Sequence, residues 1–210
     1  MGATKKRRDA GGKAAAAPEK DVIRAFAALD LDPMSLRRVM RVSDRLRLAS
    51  GAPAAAWTPA GNLHVTLRFM AALDLAKVAP LGKALAKLAE GKPAPLPFAM
   101  RLAAFPSPLH ARIVVAELVD AAGALAKLAA SVEKLAVARG VPPGDRPYRP
   151  HVTLARLRLD YDARRWLTPD FAAAAGDCRV AALTLYRSEP GPDASVYVPL
   201  ARFPFAPRPA

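Results

Sequence analysis

The feature that most constrains this chain is a tetrapeptide that occurs twice. The sequence HVTL stands at residues 64–67 and again at residues 151–154, 87 positions further on. Of the three histidines in the 210 residues, two lie in these copies. A chain of this length forms one domain or two small lobes that share a cleft, and the repeat places one motif in each half.

Strand alternation gives the two copies the same arrangement of side chains. In each extended segment the histidine and the threonine share one face, His64 with Thr66 and His151 with Thr153, while valine and leucine face the core. Histidine has an ordinary pKa of about 6.5, so two imidazoles across a groove can serve as general base and general acid. A hydroxyl beside each can bind an anionic oxygen. The pattern therefore favours hydrolysis of a cyclic phosphodiester.

Two simpler interpretations of the histidines are weaker. A single HVTL copy would be read as an ordinary surface histidine on a strand, but two identical copies in a histidine-poor chain favour a functional pair. A zinc site needs three or four protein ligands, and neither HxH nor HExxH occurs. We expect no metal and no other cofactor, and we interpret the third histidine, His110, as an exposed loop residue.

The charge of the chain indicates a polyanionic partner. Lys and Arg number 32 against 18 Asp and Glu, a net charge of +14, and nucleic acid is the commonest partner of such proteins. Residues 1–20 carry six basic and two acidic side chains, a net of +4, and lack apolar periodicity. We predict that 1–20 is a disordered basic tail and that 21–210 forms a single bilobal domain.

Other sequence features concern compartment and cofactor chemistry. The single cysteine, Cys178, forms no intramolecular disulfide, so a reducing cytoplasm is the expected location. The longest uncharged stretch, Ala49 to Leu67, contains prolines, glycines, Asn62 and His64, and is not a transmembrane helix. Neither GxxxxGK[ST] nor GxGxxG occurs, so ATP-driven ligation and dinucleotide chemistry find no support.

Hydrophobic periodicity predicts strands and helices interspersed in both halves, which indicates an α+β or mixed α/β class. Pro80 is expected near a helix start because proline breaks helix interiors. The predicted strands are Val22 to Leu31, Asn62 to Met70, Leu96 to Ala104, Ala111 to Val119, Tyr148 to Leu159, Arg179 to Arg187 and Ser195 to Phe203. The predicted helices run from Pro33 to near Gly51, over the second half of Asp74 to Glu90, from Asp120 to Arg139 and, as a short piece, from Ala163 to Leu167.

Several blocks of the chain, in order, resemble one family. RAFAALDL, WTPAGNLHVTLRFM, FPSPLHARIVV, YRPHVTLAR and LTLYRSEPGPDASVYVPLARFPF are similar to successive segments of the 2H phosphoesterase superfamily, and within it to RNA 2′,3′-cyclic phosphodiesterases, historically called 2′-5′ RNA ligases. The resemblance implies an α+β, bilobal fold in which two pseudo-symmetric lobes of antiparallel sheet with flanking helices enclose a central groove. It also implies hydrolysis of a terminal RNA 2′,3′-cyclic phosphate to a 2′-phosphate, without a metal.

The resemblance assigns roles to particular side chains. His64 would protonate the leaving 3′-oxygen and His151 would activate water. The phosphate would contact Thr66, Thr153 and the arginine of the HxTxxR pattern, Arg156.

Phe69 would lie near the terminal nucleoside. Strand parity, however, puts Phe69 and Arg156 on the face opposite their histidines, so a strand end, twist or bulge is needed to bring them into the groove. By the same parity Arg68 lies on the His64 face and is a further candidate for phosphate contact.

Two other functions stay open from the sequence. One is a cyclic phosphodiesterase that acts on a small nucleotide, and the other is a non-catalytic module that binds RNA ends. Reverse 2′-5′ ligation is allowed by microscopic reversibility as a side activity. The expected partners are RNA ends bearing a 2′,3′-cyclic phosphate, with no membrane partner, and the expected form is a monomer.

Overall fold

The structure, a computed structural model, describes residues 21–50, 55–95, 97–168, 176–191 and 194–206. The basic segment 1–20, predicted to be a disordered tail, lies outside the described residues. The helices are α1 (Pro33–Ser50), α2 (Leu75–Ala89) and α3 (Ala124–Val137), with short 3₁₀ turns at Ala60–Asn62 and Arg164–Trp166. The strands are β1 (Val22–Leu31), β2 (Ala55–Trp57), β3 (His64–Asp74), β4 (Phe98–Pro106), β5 (Ala111–Leu118), β6 (His151–Tyr161), β7 (Asp177–Cys178), β8 (Val180–Glu189) and β9 (Val196–Pro204).

The strands form one antiparallel sheet in the order β7-β4-β5-β6-β3-β1-β8-β9, and β2 adds to β6. The two motif strands, β3 and β6, meet at the centre through the single pair Val65 and Val152. Apart from the short β2 between α1 and β3, the units β1–α1–β3 and β5–α3–β6 have the same order, and each ends on its motif strand. The sheet therefore consists of two related halves joined at the HVTL copies, which confirms the α+β, bilobal prediction.

Each helix packs its apolar stripe against the sheet. Val39, Val42 and Leu46 of α1 are buried, and they recur at the spacing of one helical face. The helix α1 contacts β1 and β6, while α3 contacts β3, so both helices cross from their own half to the motif strand of the other. This crossing fixes the two motif strands relative to each other. Among the described residues, no helix is long and apolar enough to cross a membrane.

The expectation for Pro80 was wrong, because this proline lies inside α2. The helix begins at Leu75, where the Asp74 side chain accepts a hydrogen bond from the Ala76 backbone N–H at 2.8 Å. A proline one turn further in removes one backbone hydrogen bond, and Pro80 is exposed, so water can satisfy the carbonyl that loses its partner. The helix therefore starts at the Asp74 cap and continues through Pro80.

Candidate active site

The HVTL copies point their side chains as alternation predicts. Val65, Leu67, Val152 and Leu154 are at most 5% exposed and lie in the core. The side chains of both histidines and both threonines instead line a single cavity of about 470 Å³, which we call the catalytic pocket. The pocket is lined by Arg24, Phe26, Thr58, Asn62, His64, Thr66, Phe69, His151, Thr153, Arg156, Ser188, Ser195 and Tyr197.

A β-bulge interrupts the first motif strand at the leucine of HVTL. Along β1, Ala28 pairs with Thr66 but its neighbour Ala27 pairs with Arg68, so Leu67 has no partner of its own. An extra residue of this kind reverses the faces of all residues that follow it. Between Leu67 and the next register shift, which follows Met70, odd and even positions of β3 therefore exchange sides.

The second motif strand has a bulge at the corresponding residue. Along β5, Val115 pairs with Thr153 and Val114 pairs with Ala155, which leaves Leu154 as the extra residue. Leu154 and Ala155 are both buried, as two consecutive inward residues at a bulge should be. The two copies thus share a backbone irregularity as well as a sequence.

The bulges decide which downstream side chains reach the catalytic pocket. Phe69 and Arg156, each five residues after its histidine, both line the pocket. Simple alternation would place them on the opposite face of the sheet, and the bulges bring them to the histidine face. Phe69 is 40% exposed and so is not a core residue. The structure does not bring Arg68 to this pocket, because its guanidinium pairs with Glu133 of α3 and donates to the Pro142 carbonyl oxygen.

His64 lies in an aromatic enclosure. Its imidazole stacks on Phe26 at 4.8 Å between ring centroids and meets the edge of Tyr197 at 5.3 Å. Its Nε2 lies 3.0 Å from the Thr66 hydroxyl oxygen. Burial lowers the pKa of His64 to about 4, against the opposing effects of a hydrogen bond with the Asn62 backbone and of the negative charge on Asp30. His64 is therefore neutral at pH 7 in the free protein.

Asp30 lies opposite His64 in the register of β1 and β3 and is held by three donors. The Thr184 hydroxyl, the Tyr186 hydroxyl and the Arg202 Nε donate to its carboxylate at 2.9, 2.8 and 2.8 Å. Strands β8 and β9 thus fix a carboxylate behind His64. Tyr186 also stacks on Phe26 at 5.1 Å, which extends the aromatic enclosure away from the pocket.

His151 is held by its own backbone. Its Nδ1 donates to the Arg149 carbonyl oxygen at 2.7 Å, so this nitrogen carries a proton and Nε2 is the atom left for chemistry. The backbone hydrogen bond comes from two residues upstream, as it does for His64 and Asn62. Both imidazoles are therefore oriented in the same way by equivalent positions of the two repeats.

Sequence reasoning missed several residues of the pocket. Arg24 and Phe26 of the pocket, and Asp30 behind His64, all occupy even-numbered positions of β1, and this spacing was the signal that could have identified them. No sequence signal identifies Asn62 and Ser195 as pocket residues. The Asn62 amide donates to the Ser195 carbonyl oxygen at 2.8 Å, and the two residues are 133 positions apart in the chain.

The third histidine lies elsewhere. His110 is in an exposed turn, 3.7 Å from Asp160, as predicted for a loop residue. Within the described ranges, no three His, Cys, Asp or Glu side chains form a group that could hold a metal ion.

Comparison with known proteins gives matches in sequence and in fold. The model of the 2′-5′ RNA ligase superfamily matches residues 35–192. An RNA 2′,3′-cyclic phosphodiesterase from Aeropyrum pernix is 33% identical over 98 residues, which are 46% of this chain and 54% of that protein. The matched region thus spans about half the length of this curated relative.

Solved structures share the fold at low sequence identity. The crystal structure of E. coli LigT complexed with 3′-AMP superposes with a TM-score of 0.66 at 21% identity, covering 88% of this chain and 99% of that one. The protein TT0787 of Thermus thermophilus gives 0.67 at 22% identity, covering 87% and 98%. The family match extends over most of the chain and includes both histidine motifs; the protein belongs to the 2′-5′ RNA ligase superfamily and is a 2H phosphoesterase.

Proposed function

We propose that this protein hydrolyses the 2′,3′-cyclic phosphate at the end of an RNA to a 2′-phosphate. The observation that carries the proposal is the catalytic pocket, in which two oriented imidazoles, two hydroxyls and the Arg156 guanidinium face one space. The family supports it, as does the similarity to the RNA 2′,3′-cyclic phosphodiesterase of Aeropyrum pernix. E. coli LigT, which has this fold, was solved with 3′-AMP and with phosphate.

The phosphate would be held by Thr66, Thr153 and Arg156. The hydroxyls donate to its non-bridging oxygens, and the guanidinium adds a charge-assisted hydrogen bond, the stronger kind. Bound in this way, the phosphorus lies between the two histidines. Water can then attack from one side while the leaving oxygen departs on the other, as an in-line displacement requires.

The histidines would divide the proton transfers. His151 Nε2 takes a proton from water as the water oxygen bonds to phosphorus; the bond from phosphorus to the 3′-oxygen breaks, and His64 gives its proton to that oxygen. His64 is neutral in the free protein, so the bound phosphate anion must raise its pKa before the ring can act as an acid. With a 5′-hydroxyl in place of water as the attacking group, the same steps form a 2′-5′ linkage, and their reverse cleaves it.

The test is hydrolysis of an oligonucleotide with a 2′,3′-cyclic phosphate end, in EDTA, by wild type, His64→Ala and His151→Ala. General acid–base groups contribute roughly 10²- to 10⁴-fold, so each substitution should lower kcat by that order. His110→Ala is the matched control and should keep wild-type kcat. Full activity in either pocket variant would refute the assignment, and binding without product in a single-turnover assay of wild type would identify an RNA-end binding module.

A further inference from the structure

A second cavity adjoins the catalytic pocket; its lining is mainly apolar, whereas that of the catalytic pocket is mainly polar. It measures about 570 Å³ and shares Thr66, Phe69 and His151 with the pocket, so the two spaces lie on either side of the same three residues. We call it the apolar cleft. Its other lining residues are Leu67, Arg68, Phe105, Ile113, Val115, Ala126, Ala129, Ala130, Glu133, Gly144, Arg146, Pro147, Tyr148 and Arg149.

The two walls of the apolar cleft are aliphatic. One is formed by Ala126, Ala129 and Ala130, which recur on one face of α3, and the other by Ile113 and Val115 of β5. Alanine leaves open the width that a larger side chain would fill. A flat ring with apolar faces suits such a space, and a nucleobase is a ring of this kind.

The rim of the cleft carries positive charge. Arg146 and Arg149 belong to the segment that leads into β6, and the Arg149 guanidinium lies 5.0 Å from the centre of the Phe105 ring. Glu133 holds this segment to α3, because its carboxylate accepts from the Gly144 backbone N–H at 2.7 Å. A guanidinium fixed at the mouth of an apolar cleft fits a phosphodiester that links one nucleoside to the next.

We propose that the apolar cleft binds the nucleoside that precedes the terminal one, so that the substrate is an oligonucleotide end rather than a mononucleotide. This rests on the proposed function. With the cyclic phosphate between the histidines and the terminal base at Phe69, the substrate continues only through its 5′-phosphate, and the cleft begins at Phe69. Aliphatic walls hold a base by its faces, which makes binding tolerant of sequence.

The first experiment uses wild type and three substrates: a nucleoside 2′,3′-cyclic phosphate, the dinucleotide that ends in the same group, and that dinucleotide without its first base. Stacking on one base supports an expectation of about a tenfold higher kcat/KM for the intact dinucleotide than for the abasic one. Equal values for these two would overturn the proposal. Hydrolysis of none of the three would overturn the proposed function and this assignment with it.

The second experiment fills the cleft. Ala130→Leu should lower the ratio of dinucleotide to mononucleotide kcat/KM about tenfold, while Ala138→Leu, on an exposed alanine at the end of α3 outside the cleft, should leave that ratio unchanged. An equal loss on both substrates would instead place the terminal base in the cleft and refute the assignment. Thermal unfolding of each variant shows whether it is folded, and the abasic comparison needs only wild type.

Discussion

The two HVTL copies share a sequence, a bulge and a backbone hydrogen bond, but their histidines lie in different surroundings. His64 is stacked on Phe26, touched edge-on by Tyr197, and backed by the Asp30 carboxylate. His151 lies where the catalytic pocket meets the apolar cleft. The repeat therefore sets where each imidazole points, whereas the burial that lowers the pKa of His64 comes from the strands packed around that ring.

This difference suits an acid–base pair. Burial in the aromatic enclosure lowers the pKa of His64, so this ring becomes an acid only when an anion binds beside it. The contrast between an enclosed His64 and a His151 at the cleft can be tested by replacing, one at a time, the side chains that differ between the two sites.

The largest expected effect is on stability against pH. The pKa of His64 falls from 6.5 to about 4 on folding. Between these values the unfolded chain binds a proton that the folded protein excludes. Protonation of the unfolded chain therefore lowers the free energy of unfolding as the pH falls from about 6.5 towards 4, whereas above about pH 6.5 there is no such loss. Wild type should therefore lose about 3 kcal/mol of unfolding free energy that His64→Gln does not lose.

Urea unfolding at a series of pH values measures this loss. The control is Phe98→Leu, in the buried core, which should lower the free energy of unfolding by a similar amount at every pH because it removes no titratable group. If His64→Gln and wild type lost stability in parallel between pH 7 and pH 4, burial would not lower the pKa of His64.

The next effect compares the residues that follow the two bulges. Arg156→Met removes a guanidinium from the catalytic pocket and should lower kcat/KM about 10- to 100-fold, the value of about 1.5–3 kcal/mol for a hydrogen bond to a charged group. Arg68→Met breaks a partly exposed ion pair with Glu133, so it should cost about 1 kcal/mol of stability and much less kcat/KM. Equal kinetic losses in both variants would contradict the face reversal at the bulge.

The smallest effect concerns the stacking of the His64 ring on Phe26. Phe26→Leu keeps an apolar side chain but removes the contacts with His64 and Tyr186, and aromatic pairs contribute about 1 kcal/mol beyond burial. We expect a several-fold lower kcat/KM because the imidazole is held less firmly. Phe98→Leu, in a buried position of β4 outside both cavities, is the control; a similar kinetic loss there would show a general effect of core packing.

Much of the local structure was predictable because burial alternates with a regular period. The strand Val22–Leu31 and the helix start at Pro33 were both predicted at the observed residues. The prediction that Pro80 lies near a helix start gave that one residue too much weight. The helix α2 begins at the Asp74 cap and contains the proline. The short strands β2 and β7 are too brief for any periodicity to show, and they form because longer strands lie beside them.

By itself, the sequence determined that two histidines and two threonines share the outer faces of two strands, since alternation in an extended chain depends only on neighbouring residues. Tertiary structure decided which other side chains join them. The bulges at Leu67 and Leu154 arise from pairing with β1 and β5, and they bring Phe69 and Arg156 to the catalytic pocket and turn Arg68 away from it. The Asp30 carboxylate behind His64 is fixed by Thr184 and Tyr186, which follow it by 154 and 156 positions in the chain. No local sequence pattern reports a contact over such a separation.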